Sequence, residues 1–186
     1  MLVPAPSPKI TSLPACSLSD TGDGTADAAL FDAMLHPTGA LTGDFTACTE
    51  PVNAGPHHYV AAAAYAALAR WVTDGTPPRH APRLRVDRAA GHVVRDAHGN
   101  ALGGVRTPQV DVPVATLSGT GAGDCALYGT TTPFDAATSA ALYPSHSAFV
   151  DAWDAATDRS ASAGFLLPAD ADHLKAVARA STVGAA

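Results

Sequence analysis

Two adjacent histidines, His57 and His58 in the stretch AGPHHYVAAAAYAALARWVTDGTPP, are the side chains whose type and position best suit a general base. They stand at the mouth of a helical pattern. A neutral imidazole there can meet a substrate, whereas a protonated one is opposed by the positive end of the helix dipole. A base also needs something to activate. A nucleophilic serine sits on a tight strand-to-helix elbow, G-x-S-x-G or a variant, because only small neighbours permit that strained turn. The chain has no such string, and Ser118, Ser145, Ser160 and Ser162 fall in loops or on helix faces. His57 and His58 are therefore candidates for catalysis, with a structural role favoured: first-turn histidines commonly satisfy nearby backbone groups or pack on the preceding loop. An independent base built from His58 with Asp44 or Glu50, acting on water, is a further reading, but no nucleophile or metal set converges on it.

The other chemistry-bearing residues are scattered. Asp20 to Asp27, DTGDGTAD, hints at a calcium loop. Aligning Gly24 with the loop glycine, however, puts Ser19 and Leu30 where the outer acidic ligands belong, so a cap and turn is the better reading. His80, His92, His98, His146 and His173 lack ligand spacing and read as surface or capping residues, so neither a metal nor a cofactor is expected. Cys16, Cys48 and Cys125 are too few for a disulfide scaffold and form no C-x-x-C pair. One bridge, Cys48 to Cys125, would join the approach to the histidine helix with the turn-rich GDCALYGTTTPF.

The elements that must position these residues are mostly helical. Residues 1–19 read as an irregular extension without the layout of an export signal, and 20–186 as one domain. Ala26, Ala29, Leu30, Ala33 and Met34 mark a short amphipathic helix. The histidine helix is expected over about 57–73, with Pro56 in its first turn and Gly75 ending it. Its Val60, Ala63, Ala64, Ala67, Leu68, Trp71 and Val72 read as one apolar stripe, with Arg70 and Asp74 left to water. RLRVD and HVVRD suggest a hairpin over about 83–96. ALGGVRTPQVDVPVATLSG reads as extended chain, since Pro108 and Pro113 are taken to exclude helix and confine any strand to an edge. A helical tail follows over about 135–180: Asp135 caps about 136–142, Ser145 caps about 146–162, Gly164 ends that helix, and another starts at Pro168.

Composition narrows the partners. The 186 residues are 47% hydrophobic, largely alanine, with 6% aromatic and 15% charged residues and a net charge of −6. No basic stripe of the kind phosphate backbones attract stands out, so nucleic acid is not an expected partner. The longest apolar run, 60–69, is far short of the roughly 20 residues a membrane-spanning helix needs, so a soluble chain is expected.

Five long strings in order, TGDGTADAALFDAML, NAGPHHYVAAAAYAALARWVTDGTPP, DAHGNALGGVRTPQVDVPVATLSG, YGTTTPFDAATSAALYPSH and AGFLLPADA, resemble the C-terminal part of the bacterial family of alpha/beta hydrolase domain-containing proteins. The resemblance spans about 20–180. It implies an α/β-hydrolase-like fold present here as an incomplete, mostly helical C-terminal portion with a small β-hairpin and extended segments. It also implies a Ser-His-acid mechanism directed at a carboxylic ester. Members are much longer and often exported, and their serine elbow, acid and histidine lie upstream of the matching part. That role is accordingly not carried onto His57 or His58. The helix over 57–73 resembles the last helix of the hydrolase fold, which packs on the sheet. A separately encoded hydrolase core is therefore an expected partner.

Overall fold

A computed structural model of the chain describes residues 50–123 and 125–185. The segments 1–19 and 20–49, with the expected helix around 26–34, the acidic DTGDGTAD, Asp44, Cys16 and Cys48, lie outside them. In order, the elements are α1 (His57–Asp74), β1 (Val86–Asp87), β2 (His92–Val93), α2 (Pro108–Asp111), β3 (Ala115–Ser118), α3 (Cys125–Tyr128), β4 (Thr130–Pro133), α4 (Ala136–Leu142), α5 (His146–Ser162) and α6 (Pro168–Ala180). The two sheets among the described residues are antiparallel pairs, β1 with β2 and β3 with β4.

Local chemistry fixes the helix ends. Asp135 and Ser145 adopt extended backbone and accept from the amides of Thr138 and Ala148, so α4 and α5 each begin on a side-chain cap. Gly75 ends α1 in the left-handed region, φ 76°, where a side chain would be strained. Pro56 is the residue before α1 rather than its first. The expectation that Pro108 excludes helix is corrected: α2 starts on Pro108, whose missing N–H is needed by nothing at the first helical position. The turn-rich GDCALYGTTTPF instead forms α3 and β4, with Gly129 at φ 68° where a Cβ would overlap the Ser118 carbonyl.

The core lies where α5 and α6 pack on each other and on the segment 112–114 that leaves α2. Trp153 and Phe149 are fully buried beside Tyr143, Val112, Val114, Leu166, Leu174 and Ala178. Phe149 meets Tyr143 edge-on at 5.0 Å and Trp153 at 5.4 Å. The polar ends of two core aromatics are satisfied: Trp153 Nε1 donates to the Leu174 carbonyl at 3.1 Å and the Tyr143 hydroxyl to the Pro113 carbonyl at 2.8 Å. Arg179 pairs with Asp154, and Lys175 with Asp158, bracing α6 against α5 from outside. His146 completes the assembly as a cap. Its two ring nitrogens lie 2.9 Å from the Val183 carbonyl and 3.2 Å from that of Arg179, joining the start of α5 to the end of α6.

Candidate functional site

The head of α1 is set by hydrogen bonds to a distant strand. Thr131 donates its amide to the Pro51 carbonyl at 2.9 Å, and the Asn53 amide donates to the Gly129 carbonyl at 3.2 Å. Thr131 Oγ1 donates to the Val52 carbonyl and accepts from the Ala54 amide, both at 2.9 Å. Asn53 donates through Nδ2 to the Ser118 carbonyl at 2.7 Å and accepts the Gly55 amide through Oδ1 at the same distance. Residues 51–54 thus run along β4 as a short additional edge, and α1 leaves that edge at Pro56.

This launch leaves His57 exposed and His58 half-buried, with the His58 ring 3.8 Å from that of Tyr59 and meeting His57 edge-on at 6.1 Å. Glu50 is exposed on the approach. Of the four serines weighed above, Ser162 is exposed on α5. Ser145 caps α5, Ser118 accepts weakly from the Thr120 amide at 3.4 Å, and Ser160 is buried within α5. Among the described residues, no group of three or more His, Cys, Asp or Glu is placed to hold a metal ion. Cys125, almost fully buried, is disulfide-bonded to a cysteine outside the described residues.

Along its length, α1 departs from the single stripe read in the sequence. Tyr59, Ala63 and Ala67 are buried, whereas Leu68, Trp71 and Val72 are 48%, 52% and 80% exposed, and Tyr65 70%. At about 100° per residue, Ala61, Tyr65, Leu68 and Val72 lie on the side of the helix opposite the buried trio, while Ala64 and Trp71 flank it, Trp71 about 40° from Ala67. The helix is apolar on two faces, and among the described residues only one is covered. Hydrophobicity identified apolar positions but could not divide them between the faces; the separation of Ala63 and Ala67 from Leu68 and Val72 around the helix does so.

The segment after α1 continues the exposure. From Leu68 to Gly91 every residue except Pro78 and Ala81 is exposed, Leu84 and Val86 included. Seven arginines stand against three aspartates between 70 and 106, in a chain whose net charge is −6. Among the described residues, Arg79, Arg83, Arg85 and Arg88 enter no ion pair, whereas Arg106 is held by Asp111 at 2.6 Å. The sequence reading missed this concentration because the arginines are spaced by apolar residues and turns.

With the geometry in view, residues 22–176 match the family model described as Alpha/beta hydrolase domain. The chain belongs to that family. No curated protein and no solved structure matches it. No helix among the described residues is long and apolar enough to cross a membrane.

Proposed function

We propose that the chain provides the C-terminal portion of a serine hydrolase of the α/β-hydrolase type, acting on carboxylic esters, and that it is inactive without a sheet-bearing core. The observation that carries this reading is the second apolar face of α1. A helix that is apolar all round belongs in an interior, and the last helix of a layered α/β fold is covered on one side by its sheet. Here, among the described residues, one side is covered and the side bearing Tyr65, Leu68 and Val72 faces solvent. The described residues contain only antiparallel pairs of two strands, and the sequence holds no G-x-S-x-G elbow. His57 and His58 then serve to start the helix, not to activate a nucleophile. A related reading, favoured by the same face, is a purely non-catalytic module that docks on a separately encoded hydrolase core.

A chromogenic acetyl or butyryl ester tests the proposal. The isolated chain should give no turnover above buffer, and mixing it with the serine-bearing core of a family member should raise that core's rate or stability. Turnover by the chain alone that survives His57→Ala and His58→Ala, yet stops with a serine-directed inhibitor, would refute it. A gain in core stability with no change in rate would favour the non-catalytic module.

A further inference from the structure

We propose that His146 is a proton-operated clasp that holds the end of α6 and the segment 181–185 against the start of α5. Its two ring nitrogens carry the inference. Nδ1 lies 2.9 Å from the Val183 carbonyl oxygen and Nε2 3.2 Å from that of Arg179. A carbonyl oxygen can only accept, and a neutral imidazole has a single N–H to give, so only the imidazolium supplies a donor to both. In the neutral ring, whichever nitrogen keeps its proton, the lone pair of the other points at a carbonyl oxygen. One half of the clasp is then lost. Arg179 stands in the last turn of α6, where carbonyls lack intrahelical partners, and Val183 is buried in the core cluster beyond that helix.

The other polar bonds that hold this segment are local. Ser181 Oγ donates to the Ala178 carbonyl at 2.8 Å, and the Ala185 amide to that of Thr182 at 3.0 Å. What joins it to α5 is the ring of His146, the apolar seat of Val183 and a close approach at Gly184, where a Cβ would lie 2.6 Å from the Ser145 carbonyl oxygen. Of the elements that meet the ring, α6 brings Arg179, whose guanidinium pairs with Asp154, and 181–185 brings no ionisable side chain. The start of α5 brings the hydroxyls of Ser145 and Ser147, bonded to each other at 3.0 Å. His146 is the first residue of α5, whose dipole opposes a cation there, while the C-terminal end of α6 favours one. With the two helix ends opposed, the two hydrogen bonds decide. The clasp is complete on the acid side and slackens as rising pH removes the ring's second proton. The clasped segment lies beyond residues 22–176, the span of the family match.

Two signals from the isotope-labelled full chain test this. The ring nitrogen shifts of His146 report its protons. The exchange protection of the Ser181 and Ala185 amides, corrected for the intrinsic pH dependence of exchange, reports the clasp. Both ring nitrogens should carry protons on the acid side, and amide protection should fall by about fivefold, the worth of one hydrogen bond, in step with loss of the second proton. His146→Asn, which keeps one donor near the Nδ1 position at every pH, should hold protection at its alkaline level throughout. The indole resonance of Trp153, buried in the core, marks whether that variant is folded. Should it not fold, the agreement of ring and amide titrations in the unaltered chain decides alone. Protection that ignores the ring's titration overturns the proposal. So does a pH dependence that persists in folded His146→Asn, because another group, such as His173 on α6, then drives it.

Discussion

Two tryptophans with opposite surroundings give contrasting mutational effects. Trp153 is fully buried, and its indole N–H is matched by the Leu174 carbonyl. Trp153→Ala removes a large buried volume and the indole's hydrogen bond, a cost of about 3–5 kcal/mol. Trp71→Ala should change the isolated chain's stability by only about ±0.5 kcal/mol. Urea unfolding of both variants checks this, and a large loss from Trp71→Ala would mean that its face is already covered. Tyr143 adds a pH signature. Burial raises its hydroxyl well above the ordinary tyrosine value of 10.0, so the folded state keeps the phenol neutral while the unfolded state ionises. Its contribution is fully present below pH 10 and is lost as pH rises further, so alkaline unfolding should steepen there and flatten in Tyr143→Phe. Asp135 has the opposite sign. The side-chain and backbone hydrogen bonds of Thr138 hold its carboxyl below 3.8, so its cap stabilises α4 above that pH and fails as pH falls below it.

At the scale of elements, what was legible in the sequence is what local chemistry decides. The caps at Asp135 and Ser145 and the stop at Gly75 placed α4, α5 and α1 within a residue of their observed bounds. Ser145→Ala should consequently cost about 1 kcal/mol, read as a fall in the urea midpoint at constant slope. What escaped the sequence is nonlocal. β4 exists because residues 51–54, nearly eighty positions away, hydrogen-bond along it, and no pattern within GTTTPF reveals them. α2 escaped for a different reason: proline was treated as a breaker when its position at the first helical turn makes it a starter. The site was legible only in part, since the histidines marked where α1 begins but the sequence did not show which apolar positions the chain covers. The partner of Cys125 belongs to the same nonlocal class. We propose Cys48, because the chain that follows it from Pro51 to Ala54 is bound to the strand that follows Cys125. Closing that loop contributes roughly 4 kcal/mol in the chain-entropy model. A non-reduced digest should contain a peptide linking Cys48 to Cys125; one linking Cys16 to Cys125 would refute the assignment.

Considered whole, the chain is unevenly consolidated, and limited proteolysis should report it. Burial concentrates where α5 and α6 pack together, and the cations there are engaged: Lys175 with Asp158, Arg179 with Asp154 and Arg159 near Asp111 at 3.6 Å. By contrast, Arg79, Arg83, Arg85 and Arg88 are exposed and lie outside any helix. Proteases act where few buried contacts must be broken to fit the backbone into the active site. Trypsin should therefore cut within 79–88 before it cuts in α5 or α6. Because Cys125 is disulfide-bonded and the other cysteines, 16 and 48, both precede the cut, the two products should remain joined until reductant is added. Intact-mass measurement with and without reductant reads both points from one digest. Early cleavage within α5 or α6 would show that consolidation lies elsewhere.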